Sequence, residues 1–185
     1  MRSPPMFGLT TWIHYPGPPG AHRVVLVGHS YGGIVITGAA DRLFGRVIDL
    51  VYVDAMVPRP GESWSSGHDE PTRTARRKAI AASGALPAPD PSAFGLQGAD
   101  HAWVARRQTS QPGRVYDAPL QFDAIRLAAL PRTFVDCTSP ALPTIAAMRE
   151  RVRAEPGWRI VELQTGHDPM VSAPRELTDA LLGAV

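Results

Sequence analysis

One short stretch of this chain constrains its fold more than any other. Val24-Val-Leu-Val-Gly-His-Ser-Tyr-Gly-Gly33 is an apolar run that enters Gly-x-Ser-x-Gly and continues into the helical segment Ile34-Val-Ile-Thr-Gly-Ala-Ala-Asp41. A strand that turns sharply into a helix pushes the serine between them clear of the backbone, the geometry of a nucleophile elbow. Side chains at Gly28 and Gly32 would collide where strand and helix pass each other. The Tyr31 amide then lies at a helix N-terminus, where it can donate to an oxyanion. Ser30 is the candidate nucleophile and Tyr31 the candidate oxyanion-hole residue.

The length of 185 residues suits one domain with a real core. No run of about 18 apolar residues is present, so no membrane span is expected. Met1-Arg-Ser-Pro-Pro-Met-Phe-Gly8 lacks the apolar centre of a signal peptide, and a cytoplasmic location is expected. The single cysteine, Cys137, cannot close an internal disulfide, and no Cys/His spacing suggests a metal. Neither metal nor cofactor is expected. The net charge is only +2; the basic run Arg73-Thr-Ala-Arg-Arg-Lys78 has no interleaved aromatics and reads as a solvated helix face, so no nucleic-acid partner is expected.

Residues 1–22, rich in Pro and Gly, read as an irregular N-terminal arm in which Leu9-Thr-Thr-Trp-Ile-His-Tyr15 could form one strand. From Val24 the pattern is regular: strand Val24–Val27, helix from Tyr31 to about Phe44, strand Val47–Val53 ending at Asp54. This is a βαβ unit. Residues 57–120 break the rhythm with recurring prolines and short helical patches near 72–82 and 100–107, and read as a cap inserted over the site. Alternation resumes with helix 120–130, strand 132–138, helix 142–154, strand 158–163 and helix 174–182. The expected fold is α/β, with a parallel sheet of about four strands flanked by helices across residues 23–185.

Serine needs a base. His167, in Thr165-Gly-His-Asp-Pro after the last strand, stands where the base of a Ser–acid–His order belongs. The acid is harder to place. The loop Ser139-Pro-Ala-Leu-Pro-Thr144 holds no carboxylate, Asp136 lies within a strand, and Asp168 adjoins the histidine itself. Asp54, at the carboxyl end of the strand after the elbow, is on the edge where open α/β sheets bind ligands. Asp54 is the preferred acid, with Asp136 or no protein acid as the alternatives.

These pieces, together with Leu50–Pro58, Leu130–Thr138 and Gly157–Met170, resemble the α/β-hydrolase superfamily. More narrowly they are similar to bacterial relatives of the salicylate methylesterase and hydroxynitrile lyase branch. The resemblance implies a cofactor-independent hydrolase cleaving a small ester or thioester, with Ser30 as nucleophile, His167 as base and the Tyr31 amide at the oxyanion. The family's acid after Cys137-Thr138 has no counterpart here, while haloalkane dehalogenases place an acid where Asp54 stands. The lyases carry lysine where this chain has Asp168, which favours ester hydrolysis. The family also has a longer segment before the elbow strand, with a His-Gly oxyanion loop that nothing in residues 1–22 resembles. An N-terminally truncated chain is therefore expected, with an unpaired edge on the elbow strand open to a homodimer contact. The alternative reading is an impaired or inactive hydrolase fragment acting as a binding or dimerising unit. Trp64, Phe94 and Trp103 are expected to line an apolar acyl pocket.

Overall fold

The computed structural model describes residues 10–15 and 23–184. In chain order the strands are β1 (Thr10–Tyr15), β2 (Arg23–His29), β3 (Val47–Val53), β4 (Ala85–Leu86), β5 (Gln111–Pro112), β6 (Arg132–Cys137) and β7 (Trp158–Leu163). The helices are α1 (Gly32–Arg42), α2 (Glu70–Ser83), α3 (Gly98–Ala105), α4 (Ala124–Ala128), α5 (Ala146–Ala154), α6 (Pro169–Ser172) and α7 (Pro174–Leu182). The main sheet runs β1-β2-β3-β6-β7, and its last four strands are parallel. This is an α/β-hydrolase fold.

Strands buried on both faces carry apolar residues continuously, because alternate side chains enter two different cores. Leu26, Leu50, Tyr52 and Phe134 point to one face, where Ile36 and Ala40 of α1, Leu127 of α4 and Val152 of α5 cover them. Val25, Val27, Val51, Val53 and Val135 point to the other, against Leu177 and Ala180 of α7.

The edge of β2 differs from expectation. Thr10–Tyr15 pairs antiparallel along its whole length, from Thr10 opposite Gly28 to Tyr15 opposite Arg23. The edge expected to await a second chain is thus filled by this chain's own strand, and the homodimer expectation loses that basis. Part of the N-terminal arm is therefore regular structure; the rest of residues 1–22 lies outside the described residues.

The helix expected over 120–130 shrinks to α4. The Leu120 amide donates to Glu62 O, and Asp123 caps the helix by accepting from the Arg126 amide. The backbone before residue 123 is thereby tied to the loop after β3 and cannot join the helix. Between β3 and α4, the chain forms α2, α3 and the small β4–β5 pair beside the carboxyl edge of the sheet. Among the described residues, no helix is long and apolar enough to cross a membrane.

Two glycines set how closely the elbow can pack. A Cβ at Gly28 would lie 2.5 Å from Gly32 O, as the sequence suggests. The tighter limit falls one residue later, since a Cβ at Gly33 would lie 1.9 Å from Met56 O. That contact is with backbone and cannot be relieved by a rotamer change. Gly33→Ala should cost at least about 2 kcal/mol, measured as a lower urea midpoint at unchanged slope.

Candidate active site

The elbow and its neighbouring strand end in the same unusual way. Ser30, just beyond β2, has φ +54°, and Asp54, just beyond β3, has φ +41°. L-residues rarely adopt this left-handed region, and each instance costs on the order of 1–3 kcal/mol unless the surroundings hold it. Here they do. Ser30 N donates to Val53 O, while Ser30 O accepts from the Gly33 and Met56 amides at 3.1 and 2.9 Å. Asp54 N donates to Val135 O at 2.7 Å. Two strained residues are therefore fixed side by side at the carboxyl edge by the strands on either side. The Tyr31 amide, at the start of α1, has no protein acceptor among the described residues.

Asp54 is fully buried and uses both carboxylate oxygens. Oδ2 accepts from His167 Nδ1 at 2.7 Å, and Oδ1 accepts from Arg149 Nη2 at 3.0 Å. Sequence reasoning preferred this aspartate, and the structure brings it to His167. Asp136 faces elsewhere: its carboxylate is held by Arg149 and Arg153 of α5. Arg149 thus bridges both aspartates. No motif marked it in the sequence, although its spacing of four from Arg153 puts both guanidinium groups on one helix face.

With Nδ1 donating to Asp54, His167 presents Nε2 as its free nitrogen. Ser30 and His167 line one cavity, and no Ser30 Oγ–His167 Nε2 hydrogen bond is formed; such contacts often tighten only with substrate bound.

The histidine loop is also held from below. His29 Nε2 donates to His167 O at 2.7 Å, and the two rings lie 4.5 Å apart. A carbonyl can only accept, so this Nε2 carries the proton. Burial, and then the neighbouring His167, push the His29 pKa down to about 3, so it is neutral. Asp168 lies 3.6 Å from the same nitrogen, and burial raises its carboxyl above the usual range. Donor atoms of His29, His167 and Asp168 lie within 4.8 Å of one another, a spacing a metal could use. One nitrogen of each ring already has a partner: His29 Nε2 donates to a carbonyl and His167 Nδ1 to Asp54.

The cavity over Ser30 measures about 570 Å³, within the range of small-molecule sites. Trp64 and Phe94 line it as expected, and the Phe94 ring covers His167 at 4.9 Å. Trp103 does not. It lies on α3, 46% exposed, beneath the Arg107 guanidinium.

The comparisons agree with this architecture. Residues 7–180 match the family model described as the alpha/beta hydrolase family. The chain belongs to this family. It is 33% identical over 168 residues to the carbendazim hydrolyzing esterase of Nocardioides sp. (strain SG-4G), covering 85% of this chain and 69% of that protein. It is 28% identical over 174 residues to the alpha/beta hydrolase nvfD of Aspergillus novofumigatus (strain IBT 16806), covering 82% and 65%. The chain thus spans about two thirds of the length of these curated relatives. Among solved structures, an extracellular alpha/beta-hydrolase from Paenibacillus superposes with a TM-score of 0.74 at 16% identity, over 86% of this chain and 71% of that one. A methylesterase from Arabidopsis superposes at 0.60 with 20% identity, over 90% and 71%. With hydrolases and esterases as its relatives and structural neighbours, this member of the family is an enzyme by resemblance.

The buried histidines make stability depend on pH. In the unfolded chain His29 and His68 take up protons near pH 6.5; in the folded chain burial delays this to about 3 and about 4. Their contribution is complete above pH 7 and is lost as pH falls through 6.5, at up to about 1.4 kcal/mol per pH unit each. Asp168 acts in the opposite sense, since protonation favours its buried form. His29→Gln keeps a donor but cannot titrate. Unfolding free energies measured from pH 7.5 to 5 should fall less steeply in His29→Gln than in the parent, the difference reaching about 2 kcal/mol at pH 5.

Proposed function

We propose that this chain is a serine hydrolase cleaving a small carboxylic ester or thioester. The observation that carries this reading is the buried 2.7 Å contact of His167 Nδ1 with Asp54 Oδ2, beside a cavity that also holds Ser30. Ser30 Oγ attacks the ester carbonyl carbon as its proton passes to His167 Nε2. Asp54 accepts from Nδ1, fixing the tautomer and stabilising the imidazolium that forms. The Tyr31 N–H donates to the oxyanion, helped by the N-terminus of α1. The tetrahedral intermediate collapses, and the leaving alcohol or thiol takes the proton from His167. Water, deprotonated by the same histidine, then releases the acid and restores Ser30.

The role of Arg149 follows from the same geometry. A carboxylate held by histidine alone could swing about its Cα–Cβ bond; the Arg149 contact on Oδ1 stops that rotation. Segment 57–120 acts as a cap that shapes the acyl pocket through Trp64 and Phe94. The esterase named among the relatives, similar at 33% identity, supports the ester substrate class.

A fluorophosphonate probe should label the parent protein and fail to label Ser30→Ala. With p-nitrophenyl acetate, Asp54→Asn should lose about 10³–10⁴-fold in kcat. Asp136→Asn should lose much less. A large loss in Asp136→Asn with none in Asp54→Asn would reassign the acid.

A further inference from the structure

The basic run on α2 does not behave as one solvated face. Arg73 donates to Glu70 and to His68 O, and Arg77 forms a bidentate pair with Asp117. Both are surface contacts. Arg76, between them, turns inward. It lines the cavity that holds Ser30, with its guanidinium carbon 5.2 Å from the Trp64 ring and 5.8 Å from the Tyr116 ring. Among the described residues, no carboxylate lies within ion-pair reach of Arg76, and no carbonyl accepts from it.

A second side chain in the same cavity is in the same condition. Gln111 of β5 lines it, and its Nε2 is buried without a hydrogen-bond partner. The β4–β5 pair carries Gln111 against α2: the Gly113 amide donates to Gly84 O at 2.9 Å, and Gly113 packs on Ile80, one helical turn beyond Arg76. A half-buried cation and a buried amide donor thus line the same pocket, and both are costly to leave unpaired. Five N–H groups on a planar fork suit the two oxygens of a carboxylate, and the amide adds a donor from another side. The Trp64 and Tyr116 faces hold the guanidinium in place. Burial also pulls Arg76 below its ordinary pKa, the cost a bound anion would offset.

We infer that Arg76 and Gln111 form a carboxylate subsite, and that the substrates are monoesters of dicarboxylic acids, whose free carboxylate docks there while the ester carbonyl lies at Ser30. This rests on the serine-hydrolase reading for the reaction but not for the binding. Hydrolysis consumes one water, cleaves the acyl–oxygen bond and releases the alcohol, leaving a dicarboxylate whose new negative charge arises away from Arg76.

The test pairs turnover with binding. Monomethyl and dimethyl esters of succinic, glutaric, adipic and phthalic acids are compared by kcat/KM in the parent, Arg76→Met, Arg76→Lys and Gln111→Leu. Their affinities for Ser30→Ala, with and without Arg76→Met, are measured by calorimetry. The parent should favour at least one monoester over its diester by about 10- to 100-fold. Arg76→Met should erase that ratio, Arg76→Lys restore part of it, and Gln111→Leu reduce it independently of α2. A ratio near one in the parent, or one unmoved by both Arg76→Met and Gln111→Leu, overturns the subsite while leaving an active esterase intact. Arg76-dependent monoester binding to Ser30→Ala, with no turnover by the parent, upholds the subsite and overturns the hydrolase reading. A diester bound as tightly as its monoester, through Gln111 alone, would show a neutral acceptor in place of a carboxylate and overturn the inference.

Discussion

A carboxylate removed from water has to find hydrogen-bond donors for both oxygens, and at Asp54 that requirement organises the carboxyl edge of the sheet. One oxygen takes His167, from the loop after β7, and the other takes Arg149, from α5. Arg149 in turn reaches Asp136, which also holds Arg153, and Arg153 reaches Glu162 on β7. Charges alternate along this path. Side-chain exposure separates its two ends: 0% at Asp54, 12% at Arg149 and 0% at Asp136, then 41% at Arg153 and 51% at Glu162. The buried end therefore never carries an uncompensated charge, and water screens the outer end. Removing one inner member would strand its partner in a dry place, where the penalty runs to about 3–5 kcal/mol.

Backbone strain sits next to this network. Ser30 and Asp54 both take left-handed conformations, and they are linked through the loop after β3, whose Met56 amide donates to Ser30 O. Any shift in one strand end is felt by the other. The same packing brings Gly33 against Met56 O, so the helix that begins after the Tyr31 amide is pressed onto the strand end that carries Asp54. Precision at the site comes from this shared backbone more than from contacts among the side chains of Ser30, His167 and Asp54.

What could be read from the sequence follows the same division. The elbow, the four parallel strands and the position of His167 were legible because backbone geometry demands particular residues: glycines at the close approach, β-branched runs in twice-covered strands, and a short Gly-His loop after the last strand. Preferring Asp54 was also within reach, because a carboxylate at a strand's carboxyl end has few alternative uses. Arg149 and His29 were not legible, since each acts through an orientation that spacing alone does not reveal. The open edge expected for β2 rested on residues 1–22 not resembling the family's segment before the elbow strand, whereas Thr10–Tyr15 pairs along that edge antiparallel. Trp103 was placed in the pocket on aromatic character, but α3 turns it out to solvent.

The basic run on α2 shows how side chains alike in sequence part company in the fold. Arg73, Arg76 and Arg77 are equivalent in composition, yet helical geometry places them differently. Two meet carboxylates at the surface, and one meets Trp64, Tyr116 and the cavity over Ser30. The decisive variable is the rotation of α2 about its axis, set by Ile80 packing on Gly113 and by Asp69 capping its first turn. A turn of that helix by one residue, about 100°, would move Arg76 off the pocket without touching Ser30, His167 or Asp54. Under the proposed hydrolase reading, the sheet keeps one reaction while the segment between β3 and α4 sets which ester reaches it, in line with function residing in sites mounted on a fold and not in the fold itself.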